Sequence, residues 1–261
     1  MKIDLAGLLF PRRCPVCHEA VEEPGELACG ICRLKLPYIN GPACRKCGKP
    51  LLSGEREYCM DCRNRRHHFR QGKAPFVYDK LMRESIARFK YGGRKEYAAF
   101  YAEEILRRCW KEAAYWKPEV LVPIPLHPSR KRMRGFNQAQ LVAERLSQKT
   151  GIPVDAGLLR RVKKTHAQKE LSGRDRAANL RGAFSIRDEK VPYKKILLVD
   201  DIYTTGSTMD EAARMLLEHG AGSVYFLCIC VGSGTLFPRA TSQADMLAYP
   251  FGDCREGLIP R

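Results

Sequence analysis

The residues best suited to chemistry lie in one run, ILLVDDIYTTGSTMDEAA, from Ile196 to Ala213. Four apolar residues lead into two adjacent carboxylates, Asp200 and Asp201, and small or hydroxylated side chains follow. A turn of Thr204, Thr205, Gly206, Ser207 and Thr208 presents consecutive backbone N–H groups and four hydroxyls, and glycine admits close approach. A helix starting there adds the positive end of its dipole, so a phosphate fits without Lys or Arg. The two carboxylates would repel a bare phosphate. They make sense as acceptors for sugar hydroxyls, with Mg2+ offsetting their charge. The run therefore reads as a site for a phosphorylated ribose at the carboxyl end of a parallel strand.

A second set of reactive groups lies near the start of the chain. Eight of the twelve cysteines form four C-x2-C pairs: Cys14/Cys17, Cys29/Cys32, Cys44/Cys47 and Cys59/Cys62. Successive pairs begin 15 residues apart. Each pair supplies two thiolates from one tight turn, and two pairs complete a tetrahedral zinc site. Four pairs make two sites, either sequential or interleaved, since spacing alone allows both. An iron–sulfur cluster or a redox dithiol is the alternative, but the regular ribbon-like spacing favours zinc. With every ligand a cysteine, no position stays open for water, so the metal is expected to be structural. Cys109, Cys228, Cys230 and Cys254 lack such spacing, and Cys228 and Cys230 read as strand residues on one face.

These groups need elements to position them. Residues 1–72 are rich in Gly and Pro and poor in apolar periodicity, so this module depends on metal for its stability. Residues 73–231 have the pattern of an α/β domain. Strands are expected at 76–78, 120–125, 194–200 and 223–230, and helices at 79–91, 95–115, 137–149 with Asn137 as N-cap, and 208–219 closed by Gly220. A basic loop separates the 120–125 strand from Asn137, and residues 160–187 are hydrophilic and irregular. Apolar strands alternating with helices imply a parallel sheet covered on both faces. The tail, 232–261, has no clear periodicity.

Charge narrows the partners. With 46 Lys+Arg against 29 Asp+Glu, the formal charge is +17. Eight thiolates holding two Zn2+ contribute a net −4 and leave about +13. Such a balance predicts an anionic partner: nucleic acid, a phosphorylated metabolite or a membrane surface. Arg63, Arg65, Arg66 and Arg70 form one local cluster. In MKIDLAGLLFPRR a short apolar run precedes two arginines, which does not read as a signal peptide. No stretch reaches the ~18 apolar residues of a membrane span, so the expected location is the cytoplasm.

VDDIYTTGST resembles the phosphoribosyl-diphosphate (PRPP) signature of type I phosphoribosyltransferases. Together with the four knuckles, FKYGG at 89–93, VPIPLHPSRKRMRGFNQ at 122–138 and THAQKELSGRDRAANLRGAF at 165–184, the chain is similar to the competence protein F (ComF) family. The likeness spans residues 14 to about 230, and the tail departs from it. It implies a type I phosphoribosyltransferase-like parallel sheet flanked by helices, with an N-terminal zinc-ribbon module carrying two structural zinc ions.

By the same resemblance, Asp200 and Asp201 bind the ribose 2′- and 3′-hydroxyls, and residues 204–208 cradle the 5′-phosphate of PRPP with its Mg2+. Arg130, Lys131, Arg132 and Arg134 are implied for pyrophosphate. The 160–187 segment, with nine Lys+Arg and two acids, is implied as a lid. The implied role is PRPP and single-stranded DNA binding during DNA uptake in natural transformation, alongside DNA-uptake proteins such as a competence helicase. Tyr91, Phe136 or Tyr203 are candidate stacking platforms for DNA. The alternative is an active phosphoribosyltransferase with an unidentified acceptor. A salvage enzyme fits less well, because it has no need of a zinc module.

Overall fold

The structure, a computed structural model, describes residues 11–163 and 181–233. The expected lid falls largely outside the described residues, as does nearly all of the tail.

The chain opens with one small unit built twice, 30 residues apart. In each unit a knuckle closes on itself: the Cys14 carbonyl accepts from His18 N and the Cys44 carbonyl from Gly48 N, both at 2.9 Å. A single antiparallel bridge follows, Arg13↔Ala20 and then Ala43↔Pro50. The second pair in each unit leads into a short helix, α1 (Gly30–Lys35) or α2 (Met60–Asn64). The knuckle requires positive φ at its fifth residue, 74° at His18 and 76° at Gly48. Glycine takes that conformation freely, whereas a side chain there costs about 1–2 kcal/mol. His18 is held by a 2.6 Å hydrogen bond between its Nδ1 and Tyr97 Oη.

The main sheet is parallel throughout. In chain order its strands are β1 (Gly72–Lys73), β2 (Phe76–Val77), β3 (Val120–Pro123), β6 (Lys195–Tyr203) and β7 (Ser223–Val231), while β4 (Leu159–Arg161) and β5 (Phe184–Ile186) form a separate antiparallel pair. β1 and β2 pair in turn with β7, β7 with β6, and β6 with β3. Val122 and Phe226 both lie opposite Leu198. Strands covered on both faces need continuous apolar runs, which ILLV and VYFLCICV provide.

One layer holds α3 (Lys80–Tyr91), α4 (Tyr97–Tyr115) and α6 (Gln138–Thr150), through Phe89, Tyr101, Ile105, Val142 and Leu146 against Leu197, Val199 and Leu227. Cys14 and Val16 of the first unit belong to this layer. The other layer holds α7 (Ser207–Glu218) and the β4–β5 pair, through Met209, Leu216, Leu159 and Phe184 against Ile196, Leu198 and Phe226, with Cys44 and Cys47 of the second unit. Each cysteine unit thus packs into a different face of the sheet. The first is further tied down by Glu104, a buried carboxylate of α4. It accepts from Arg33 at 3.1 Å, Tyr38 Oη at 2.9 Å and Arg107 at 2.7 Å.

The structure departs from the sequence reading in four places, the first being residues 160–187, read as irregular, whose two ends form most of β4 and all of β5. The basic loop contains a helix, α5 (Pro128–Arg134), started by proline at its first turn and ended by Gly135 at φ 77°. β6 runs on to Tyr203, because Ile202 and Tyr203 keep pairing with Cys230 and Val231. Cys228 and Cys230 lie in opposite layers rather than on one face. β6 breaks its alternation in the same place: Val199 and Ile202 share a layer, and Tyr203 faces the other. The break falls at Asp200 and Asp201.

Candidate functional site

β6 delivers its chain to Gly206, whose φ of 80° turns the backbone into α7. An alanine Cβ there would lie 2.4 Å from Tyr203 Oη, so glycine meets a steric as well as a conformational need. Asp200 and residues 202–209 line a small open pocket at this turn. The start of α7 carries the positive end of the helix dipole, which favours an anion there. Thr205 Oγ1 lies 3.1 Å from Ser207 Oγ, which gathers two hydroxyls on one side of the turn. Asp210, the acid of the first helical turn, is engaged elsewhere. Its Oδ1 accepts from His68 N at 2.6 Å and lies 3.3 Å from His68 Nδ1.

The two carboxylates differ in environment. Asp200 Oδ1 accepts from Asp201 N at 2.8 Å. Burial pushes the Asp200 carboxyl up to about 7, with the Asp201 charge adding to it and Lys90 and Arg161 opposing. Asp201 Oδ2 lies 2.6 Å from Lys90 Nζ, and both side chains are largely buried. Burial pulls the Lys90 ammonium down, but Asp201 outweighs it and the net shift is upward.

Lys90 is a site residue that reading the sequence missed, although FKYGG contains it. It falls four residues after buried Ile86, on the apolar stripe of α3. A cation in that place requires a partner, which is a legible signal.

The basic residues of α5 divide into two groups. Arg134 donates from Nη2 to Tyr91 Oη at 3.0 Å and from Nη1 to Gln138 Oε1 at 3.2 Å, with its guanidinium 4.8 Å from the Tyr91 ring centroid. Its positive charge also bears on Lys90. Arg130 reaches the same region through Arg161 of β4. The Arg161 guanidinium is pushed down by burial and by Arg130, while Asp200 pulls it up. Lys131 and Arg132 are exposed, and no contact among the described residues links them to the acidic pair. Of the three aromatic candidates, Phe136 and Tyr203 are buried in the core and Tyr91 is 65% exposed. Arg63, Arg66 and Arg70 are exposed and Arg65 is half-buried.

The cysteines resolve into Cys14/Cys17/Cys29/Cys32 and Cys44/Cys47/Cys59/Cys62, with the Sγ atoms of each set within 4.8 Å of one another. The pairing is therefore sequential, not interleaved. A tetrahedron of four thiolates on zinc, with bonds of about 2.3 Å, has S–S edges of about 3.8 Å. The Cys17–Cys29 and Cys47–Cys59 separations are 3.8 and 3.7 Å. Both sets fit structural zinc, which the eight cysteines would hold with no position left for water.

A parallel sheet with helices on both faces, a phosphate-type turn at a strand end and two clusters of four cysteines define a phosphoribosyltransferase-like protein with zinc ribbons. The phosphoribosyl transferase domain family matches residues 98–252, past the point near 230 where the sequence resemblance stopped, and the double zinc ribbon domain family matches residues 5–63. The chain belongs to the phosphoribosyl transferase domain family and, within it, to the competence protein F group. It is 33% identical to competence protein ComFC of Bacillus subtilis over 76% of this chain and 81% of that protein. Competence protein F of Haemophilus influenzae is 30% identical over 82% and 95%. The DNA utilization protein YhgH of Salmonella typhimurium is 30% identical over 85% and 98%. Among solved structures, a purine phosphoribosyltransferase from Pyrococcus horikoshii aligns with a TM-score of 0.31 at 15% identity, covering 53% of this chain and 91% of that one.

Proposed function

We propose that this chain handles single-stranded DNA during DNA uptake, in the cytoplasm, and that its transferase-like domain binds PRPP with Mg2+. The observation that carries the reading is the pocket of Asp200 and residues 202–209, where a helix N-terminus and the Asp200 carboxylate meet at one strand end, with Asp201 next in the chain. A ligand with both a phosphate and neighbouring hydroxyls satisfies both halves. Asp200 and Asp201 accept from the ribose hydroxyls, and residues 204–208 hold the 5′-phosphate. Arg130 and Arg134, with Lys131 and Arg132 on the same helix, face the pyrophosphate. Mg2+ carried with the ligand would offset the charge of Asp200 and Asp201.

The DNA role draws support from the relatives' names, from the +17 balance and from the exposed arginines at 63, 66 and 70. DNA-uptake proteins, a competence helicase among them, are the expected partners. The same proposed hydroxyl-and-phosphate site also favours a second reading, an active transferase. In that reaction the C1–O bond to pyrophosphate breaks, a bond from C1 to an acceptor forms, and pyrophosphate departs with its electron pair.

Calorimetric titration with PRPP and Mg2+, beside anisotropy titration of a single-stranded oligonucleotide at two salt concentrations, tests the proposal. Saturable PRPP binding, and DNA affinity that falls steeply with salt, are the expected results. No PRPP binding, or DNA affinity indifferent to salt, overturns the corresponding half. Pyrophosphate release with a panel of bases marks the transferase.

A further inference from the structure

Lys90 is largely buried, charged and bound to one of the two carboxylates that the ribose hydroxyls would need. We propose that Lys90 is a diphosphate-binding residue, which leaves Asp201 for the 1-diphosphate of PRPP when the ligand's hydroxyls take its place on the carboxylate. This rests on the PRPP reading above and adds a residue and an exchange to it.

The stereochemistry of the ligand supplies the first argument. In an α-1-diphosphate, the diphosphate leaves the ribose ring on the same face as the 2- and 3-hydroxyls. A cation already sitting on a carboxylate that faces those hydroxyls is therefore beside the diphosphate too. Lys90 Nζ and a ribose hydroxyl would compete for Asp201 Oδ2, which the ammonium holds at 2.6 Å. Displaced from that oxygen, a mostly buried ammonium needs another anion nearby, and the diphosphate supplies it.

Local charge is the second argument. The positive charge of Arg134 bears on Lys90, so a diphosphate drawn to the Lys90 ammonium also comes within the field of that guanidinium. Backbone anchoring is the third. Phe89 is fully buried and the Lys90 carbonyl accepts from Gln138 Nε2 at 3.5 Å, so side-chain torsions alone make the exchange.

The test compares two ligands, PRPP with Mg2+ and ribose 5-phosphate, on the full zinc-loaded chain. Ribose 5-phosphate carries the hydroxyls and the 5′-phosphate but no diphosphate. Lys90→Gln is expected to weaken PRPP by about 10- to 100-fold, the range of one charge-assisted hydrogen bond, and to leave ribose 5-phosphate unchanged or tighter. Equal losses for both ligands would make Lys90 merely structural and overturn the proposal, as would unchanged PRPP affinity. If the unaltered chain binds neither ligand, the phosphoribose reading itself fails. Should Lys90→Gln leave Asp201 too exposed to repulsion to fold, Lys90→Gln with Asp201→Asn replaces the ion pair by a neutral pair of similar shape. Its preference for PRPP over ribose 5-phosphate is expected to be at least tenfold below that of Asp201→Asn alone, and an equal preference overturns the proposal.

Discussion

Replacing Gly206 by alanine tests the phosphate turn and the core beneath it together. The left-handed φ of 80° costs an alanine about 1–2 kcal/mol. The new Cβ would also lie 2.4 Å from Tyr203 Oη, 2.8 Å from Cζ and 2.9 Å from Cε2. That ring has little room to retreat. It stacks on Phe226 at 4.8 Å and 8°, meets Phe69 edge-on at 6.0 Å and has the Lys49 ammonium 5.6 Å from its centre. Overpacking of this kind costs about 1–3 kcal/mol, for a total of roughly 2–5 kcal/mol. Tyr203→Phe has the opposite sign, since its hydroxyl is buried with no hydrogen-bond partner among the described residues. Removing it is expected to stabilise by about 1 kcal/mol and to take away the closest of the three contacts. The double variant should then recover about 1 kcal/mol beyond additivity. Urea denaturation of the four proteins measures the cycle, with thermal melting as a second readout in which Gly206→Ala falls by roughly 5–15 °C. A Gly206→Ala protein within about 0.5 kcal/mol of the parent would refute the reasoning. So would a Tyr203→Phe protein destabilised by more than about 1 kcal/mol, since the hydroxyl would then have a partner.

Two further outcomes follow from the acidic pair and the ribbons. An ordinary aspartate ionises near 3.8 and Asp200 near 7, so between those values the folded chain keeps a proton that the unfolded chain has released. Stability from this group is full below about pH 4, declines as pH rises and is gone above about pH 7. Asp200→Asn should flatten that slope and be more stable than the parent at pH 8 by on the order of 1–3 kcal/mol, measured by denaturation across pH; an unchanged slope counts against the assignment. Elemental analysis of the purified chain should find two zinc ions, and Cys44→Ser should keep one, because each set of four cysteines is complete in itself. Loss of both would mean that the ribbons share ligands or fold as one unit.

Local pattern was enough wherever an element's own chemistry defines it. Asn137, read as an N-cap, does cap α6, and the apolar runs of β6 and β7 needed only their composition to be read as buried parallel strands. The 204–208 turn was legible for the same reason, since its small residues and its glycine serve the backbone at that spot. α5 escaped notice because its seven residues, PSRKRMR, carry no apolar stripe, although Pro128 and Gly135 bracket it in the usual way. The end of β6 was misplaced because strand length depends on the partner, and β7 keeps pairing as far as Val231. Pairings between distant residues were the least legible. Lys90 and Asp201 meet across more than a hundred residues, as do His68 and Asp210, and no local spacing encodes either contact. The same limit held for the zinc sets, where equal spacing allowed two pairings until the fold brought four sulfurs together.

The most direct test of the account is a crystal structure of the chain soaked with PRPP and Mg2+. The 5′-phosphate is expected over the N–H groups of residues 204–208, with the ribose hydroxyls on Asp200 and Asp201. Phosphate density anywhere else, with this turn empty, would contradict it.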